Sequence, residues 1–214
     1  MITVFLGPPG SGKGTQAAVL SDRFGLLHFD MGRALRDEIA GGSDLGHSIR
    51  TFTDAGELVP IEIIGLIIEK VFQNPGLSGV ILDGFPRSVE QVDLLDGILA
   101  RTGLCLDDVY YFNLDDGIII ERIVNRRFCP KCKRVYNLLS AKPAVESVCD
   151  VDGAELATRS DDMADVVANR IAVYRRETEP IVNRYRVANL LVEIDATQEI
   201  EGITKELERR MELR

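Results

Sequence analysis

The chain has 214 residues, 45% of them hydrophobic, and a formal net charge of −9, which suits one domain with insertions or two small domains around a sizeable core. Such a surface repels nucleic acid and anionic membranes, so any phosphate site must come from a local gathering of Arg and Lys. No apolar run approaches the ~20 residues needed to span a bilayer; the longest, IEIIGLIIEKVF, is short and charged.

The opening MITVFLGPPG lacks a basic stretch and a small-residue cleavage motif, which predicts a cytoplasmic protein without a signal peptide. In that setting the four cysteines point to metal or free thiols more than to disulfides. The first apolar run, Ile2–Leu6, predicts a strand, and Lys13–Phe24 a helix. Between them lies GPPGSGK, in the strand–loop–helix context where G-x-x-x-x-G-K binds phosphate. Glycines let backbone N–H groups turn inward around an anion, and the helix start adds partial positive charge. Gly10, Ser11, Gly12, Lys13, Gly14 and Thr15 form the candidate cradle, with Lys13 reaching the β- and γ-phosphates. Gly14 takes the usual Ser/Thr position, so the Thr15 hydroxyl comes one place late.

A second strand is predicted at 26–29. Residues 30–59 have a helical pattern, divided by Gly41-Gly42, and read as an insertion. A helix over 60–72 precedes a third strand at 80–82. Asp83 then falls at a strand's carboxyl end, the ligand crevice of an open α/β sheet. It is a candidate for holding Mg²⁺ through water. Arg87 can fork onto a phosphate. Gln91, in a helix predicted over 88–101, carries an amide suited to a base edge.

The fourth strand is predicted at 109–113, followed by a helix over 115–127. Arg122 and Arg126 would share one face of that helix; an anion between them or a solvated basic face would each account for the pair. Residues 125–162 carry three cysteines and few helix signals, and read as a second insertion. Cys129-x2-Cys132 and Cys149-x2-Asp152 have the spacing of paired metal knuckles, with a carboxylate as the fourth ligand; three reduced thiols are the other reading. Asp150 is a poorer candidate because it adjoins Cys149. Cys105 is read as a buried free thiol. Arg159 and Arg170 follow. A long helix over 163–188 should be bent or interrupted at Pro180. A fifth strand at 190–194 and a helix over 199–211 complete the chain. Short apolar runs alternating with helices predict an α/β fold with a parallel sheet.

Together GPPGSGKGTQA, DAGELVP, LDGFPRSVEQ, ERIVNRRFCPKC and TRSDD resemble the adenylate kinase family, in the long form with a zinc-bearing lid. The match runs in the family's order and spacing over nearly the whole chain. The resemblance implies a P-loop NTPase-type core (1–29, 60–124 and 163–214) with a five-stranded parallel sheet. It implies a helical monophosphate-binding insertion (30–59) and a lid (125–162) that closes over the triphosphate. The reaction implied is ATP + AMP ⇌ 2 ADP with Mg²⁺, in a monomer that binds neither nucleic acid nor membrane.

Carried over by position, Lys13, Arg122 and Arg126 lie along the ATP phosphates, and Arg36 and Arg87 hold the AMP phosphate. Arg159 and Arg170 resemble the pair that bridges both nucleotides. With Lys13, Arg87, Arg122 and Arg126 they form the implied catalytic set. Glu57, Leu58, Val59, Gly84, Phe85, Pro86 and Gln91 fall where the family contacts AMP. Val135, Tyr136 and Gln198 fall near the ATP base or its lid contacts. Where the family commonly reads Ser-Thr-Gly-Asp, this chain reads DMGR, so Met31 replaces the threonine that touches adenine. That keeps a UMP or CMP kinase as an alternative. A zinc-ribbon nucleic-acid-binding ATPase conflicts with the acid charge, and a dead nucleotide sensor with the retained Lys13 and arginines. His28 and His47 lie outside the matched catalytic motifs and are read as structural or surface residues. Phosphoryl transfer needs positioning and charge neutralisation with little covalent work, which suits many arginines. Four protein ligands close a zinc site, so the metal would be structural, in a segment too small to have much core.

Overall fold

The structure, a computed structural model, describes residues 1–74 and 76–213. The chain runs β1 (Ile2–Leu6), α1 (Lys13–Phe24), β2 (Leu27–Asp30), α2 (Met31–Ala40), α3 (Asp44–Ala55), α4 (Ile61–Phe72), β3 (Val80–Asp83), α5 (Val89–Thr102) and β4 (Asp108–Asn113). It continues through α6 (Asp116–Val124), the short pair β5 (Arg126–Phe128) and β6 (Val135–Asn137), α7 (Ala164–Val173), α8 (Glu179–Val187), β7 (Leu191–Asp195) and α9 (Ile200–Met211).

Five strands form the parallel sheet expected from the sequence, in the order β2-β3-β1-β4-β7. All of β1 and β3 is buried, as near-continuous apolar runs require when helices cover both faces. Successive side chains point to opposite faces. Thus Val4 and Leu6 join Leu82 and Val109 under α4 and α5. Phe5 joins Ile81, Tyr110 and Phe112 under α1, α6 and α9. The chain leaves β1 toward β2 and leaves β4 toward β7. Their carboxyl ends therefore make the switch point at which such sheets bind ligands.

Two expectations are corrected and one is borne out. The helix predicted over 115–127 stops at Val124, so Arg122 and Arg126 do not share a helix face. Arg126 lies in β5, paired with Asn137, and Phe128 pairs with Ala157. Strand pairing overrides the helical propensity of the arginines. The helix predicted over 163–188 is interrupted next to Pro180 as expected, into α7 and α8 joined by a π turn at Tyr174–Thr178. Cys105 is exposed, because it lies in the loop between α5 and β4, and loops run over the surface.

Residues 125–162 build only a small cluster of Cys129, Tyr136, Cys149 and Leu156. Among the described residues no helix is long and apolar enough to cross a membrane.

The Phe5 ring is fully buried between Tyr110, at 5.7 Å and nearly perpendicular, and Phe112, at 5.1 Å. Phe5→Ala empties the centre of one sheet face and should cost about 3–5 kcal/mol, measured by urea unfolding.

Candidate functional site

The phosphate loop leaves β1 at the switch point. Gly7, Gly10 and Gly12 all have positive φ. At Gly7 the space is also closed, since a Cβ would come within 2.6 Å of the Phe112 carbonyl oxygen. The α1 N-terminus has no side-chain cap and no acid in its first turn. By contrast Asp30, Ser43 and Ser88 cap α2, α3 and α5. Uncapped N–H groups and the helix dipole make the start of α1 suited to an anion. Lys13 folds back over the loop, donating to the carbonyls of Gly7 at 2.8 Å and Pro8 at 2.7 Å, and to Ser11 Oγ at 3.1 Å. Burial brings its pKa down to about 8; Asp83 opposes that shift, and Arg87, Arg170 and Arg126 add to it.

Asp83 ends β3 and lies so close to α1 that a Cβ on Gly14 would be 3.0 Å from its Oδ2. His28 Nε2 is 3.4 Å from the same oxygen. Asp30, its register partner at the end of β2, accepts from the Arg33 N–H at 3.0 Å and lies 3.6 Å from Arg36. Burial opposes ionisation of Asp30, but Arg36, the Arg33 N–H and His28 hold its carboxyl below the usual range.

Arg87 is fixed at several points. Its N–H donates to Gln91 Oε1 at 2.8 Å and its Nε to the Gly84 carbonyl at 2.7 Å. Its own carbonyl accepts from Thr178 Oγ1 at 2.8 Å. Burial lowers its pKa, with Asp83 and Asp30 opposing. Arg126 grips the buried Asp162 carboxylate with Nε, at 2.8 Å, and with Nη2. Arg170 shares that carboxylate at 3.3 Å and pairs with Asp161 at 3.0 Å. Burial lowers the Arg126 pKa, but the Asp162 hydrogen bond and charge reverse the shift.

Arg159 differs. Its guanidinium lies over the Phe128 ring at 5.7 Å, and its Nε is buried without a hydrogen-bond partner. Burial, with repulsion from Arg126 and Arg36, pulls its pKa down to about 10. Arg122 is partly buried, which lowers its pKa. Six cations, Lys13, Arg36, Arg87, Arg126, Arg159 and Arg170, thus gather around four carboxylates, Asp30, Asp83, Asp161 and Asp162. A buried guanidinium N–H without a partner is costly.

A cavity of about 250 Å³ beside this cluster is lined by Glu57, Leu58, Val59, Gln91, Arg176 and Glu177, among others. Arg176 reaches Glu57 at 3.4 Å across it. Gly84, Phe85 and Pro86 form the turn leading to Arg87, and Phe85 is fully buried. Met31 is buried in the core at the start of α2. Val135 is exposed, whereas Tyr136 is buried with its hydroxyl 3.4 Å from Cys149 Sγ. Gln198 is exposed, next in sequence to Thr197, which lines a second cavity of about 430 Å³ at the carboxyl ends of β4 and β7.

Sequence reasoning missed His28, Asp30, Asp161, Asp162 and Thr178 as members or neighbours of the site. Asp30 carried the same signal as Asp83, an acid at a strand's carboxyl end. Asp161 and Asp162 stood within TRSDD, one of the stretches that carry the resemblance, but were given no role of their own.

The ligand atoms of Cys129, Cys132, Cys149 and Asp152 all lie within 4.8 Å of one another. The two knuckles repeat each other. The Lys133 N–H bonds the Cys129 carbonyl, and the Gly153 N–H bonds that of Cys149, both at 2.9 Å. The Cys129 N–H donates to the Arg134 carbonyl at 2.9 Å and the Cys149 N–H to that of Ala154 at 2.8 Å. Lys133 and Gly153 both have positive φ. Asp152 therefore occupies the place of Cys132 in a second copy of the same turn.

A glycine phosphate loop at the sheet's switch point, ringed by arginines, defines a nucleotide-dependent phosphotransferase of the P-loop class. Residues 5–190 match the family model for adenylate kinase. The chain is 39% identical over 213 residues to the adenylate kinase of Kosmotoga olearia, covering 99% of each. It is 40% identical to that of Archaeoglobus fulgidus, over 99% of this chain and 98% of the relative. With the adenylate kinase of Thermosipho melanesiensis it shares 39% over 208 residues, 97% of each. The chain belongs to the adenylate kinase family of nucleoside monophosphate kinases, which catalyse ATP + AMP ⇌ 2 ADP.

The lowered Lys13 pKa gives a pH signature. Lys13 is charged below about pH 8 and neutral above it, so phosphate attraction weakens as pH rises. As kcat/KM reports groups of the free enzyme, kcat/KM for ATP should fall through about pH 8. Lys13→Arg, charged at every pH tested, should be less active but show no such limb. A limb unchanged in that variant would assign it to another group.

Proposed function

We propose that the cationic cleft transfers the γ-phosphoryl group of ATP to AMP and returns it from ADP. The observation that carries this reading is the ring of six cations around a space where Arg159 Nε is buried without a protein partner. Lys13 and the start of α1 take the β- and γ-phosphates, with Arg122 and Arg126 alongside. Arg36 and Arg87 hold the AMP phosphate. Arg159 and Arg170 span the transferred group, where preorganised positive charge lowers the barrier most. Asp161 and Asp162 fix Arg126 and Arg170 before nucleotides arrive. Asp83, an oxygen donor packed against Gly14, would hold Mg²⁺ through water. When bound with ATP, the ion neutralises phosphate charge.

In this reading residues 1–29, 60–124 and 163–214 are the core, 30–59 bind the monophosphate and 125–162 form a lid. Both inserted segments close over the nucleotides and exclude water, which would otherwise compete as acceptor. The enzyme works as a monomer in the cytoplasm.

Adenine is favoured at the acceptor site by Gln91. Its amide oxygen accepts from the Arg87 N–H, and Gln91 lines the cavity, so its NH₂ end is the group left to donate to a base. A ring nitrogen that accepts is present in adenine and cytosine and absent at the matching edge of uracil and guanine. Backbone groups near Val59 complete the pocket, and Met31 is buried in the same core cluster as Val59. In a coupled ADP-formation assay, AMP should give the highest kcat/KM among AMP, CMP, UMP and GMP. A higher value for CMP or UMP would overturn the acceptor assignment.

The three sulfurs and one carboxylate of the paired knuckles suit Zn²⁺. A tetrahedron with Zn–S near 2.3 Å places sulfurs about 3.8 Å apart, and Cys132 and Cys149 already stand 3.5 Å apart. The set is closed, so the ion would hold the lid together without entering the chemistry. Metal analysis and thermal melts check this. Asp152→Cys should keep one zinc per chain, and Asp152→Ala should lose zinc and melt lower. Cys105→Ser, altering an exposed thiol outside the set, should leave zinc unchanged. Zinc retained in Asp152→Ala would mean a different fourth ligand.

A further inference from the structure

We propose that Thr178 is a positioning residue for the acceptor site, acting on Arg87 through that residue's backbone carbonyl, and that the π turn is the device that places it. The inference rests on the reading of Arg87 as the holder of the AMP phosphate.

α7 and α8 would be one helix but for Pro180. Proline has no N–H to donate, and in a regular helix its ring would collide with the carbonyl of Arg176, four residues back. The backbone widens instead. The Glu179 N–H reaches five residues back to the Tyr174 carbonyl, the hydrogen bond of a π turn. One extra residue in the turn rotates the side chains of α8 by about 100° relative to α7.

The rotation has a local result. Thr178 is buried, and its hydroxyl donates at 2.8 Å to the carbonyl of Arg87, 91 residues away in sequence. Gln91 already holds the Arg87 N–H, and the Gly84 carbonyl holds its Nε. Thr178 completes the grip on the peptide unit from which the guanidinium projects. Nε is turned inward, and the two terminal nitrogens remain for a phosphate. A side chain fixed before binding loses less freedom on binding.

The same turn touches the acceptor cavity directly. Arg176 pairs with Glu57 at 3.4 Å, and Glu177 lies in the cavity wall with them. Five consecutive residues therefore reach both the phosphate end and the pocket end of the acceptor site. Among the described residues the hydrogen bonds and ion pairs of this turn run to Tyr111, Asp116, Glu57, Arg87 and its own helix and not to the phosphate loop, so its effect should fall on AMP and leave ATP alone.

Thr178→Val keeps the side chain's shape and removes the hydroxyl, whereas Thr178→Ser keeps the hydroxyl. Binding of AMP and of ATP to each full-length variant is measured by calorimetric titration, alone and combined with Arg87→Ala, with melting temperatures as the check on folding. Thr178→Val should weaken AMP about five-fold, the loss of one hydrogen bond, and leave ATP unchanged. Thr178→Ser should bind AMP like the unaltered enzyme. In the Arg87→Ala background Thr178→Val should weaken AMP no further. The proposal is overturned if Thr178→Val leaves AMP binding intact, weakens ATP as much as AMP, or weakens AMP equally with and without Arg87. Arg87→Ala that binds AMP normally would instead overturn the role of Arg87 itself.

Discussion

Holding cations in a partly buried space, against desolvation first and like-charge repulsion second, is the constraint around which this molecule is built. Six cations converge where the chain as a whole carries −9. Their cost shows in the groups themselves: Lys13 is brought down to about 8 and Arg159 to about 10, each chiefly by burial. An assembly like this persists only if the fold over-determines it. The fold does so with four carboxylates, two of which, Asp30 and Asp83, the strand ends deliver side by side, while the uncapped start of α1 adds further partial positive charge. The buried Asp162, held by Arg126 and Arg170, shows the same logic. A buried charge without its partner is far more costly than the pair.

Compensation is incomplete, and the proposed function turns on that incompleteness. Arg159 Nε has no protein acceptor, and Lys13 makes do with carbonyls and a hydroxyl of its own loop. Such contacts hold a cation in place without neutralising it. A phosphate brings the formal charge that the carbonyls lack. In phosphoryl transfer the protein's contribution is placement of charge. In the proposed reading an entering phosphate relieves the crowding of these groups, so the ligand-free strain and the affinity for nucleotide have one origin.

Much of this was legible in the sequence because it depends on local rules. The phosphate loop needs glycines between a strand and a helix, and Asp83 needs only to end a strand. The spacing of Cys129, Cys132, Cys149 and Asp152 foretold a cluster that the structure brings within 4.8 Å. The features that were not legible depend on tertiary pairing. Arg126 reads as helical beside Arg122, yet its backbone is claimed by Asn137 of β6. Cys105 reads as a core thiol by residue type, but it lies in an exposed loop. His28 carries no motif; only the register of β2 against β3 sets it beside Asp83.

Pro180 is the instructive intermediate case. Its residue type foretells an interrupted helix, but not how the backbone absorbs the missing donor. A kink would have redirected α8 and left the Arg87 carbonyl to find another partner. The π turn keeps the two helices nearly continuous and shifts only the side-chain register. That shift turns Thr178 inward onto Arg87 and Arg176 outward onto Glu57. A local steric conflict is thus resolved in the way that serves a site formed by residues far away in the chain. The sequence states the conflict at Pro180, and only the packed structure shows what its resolution does.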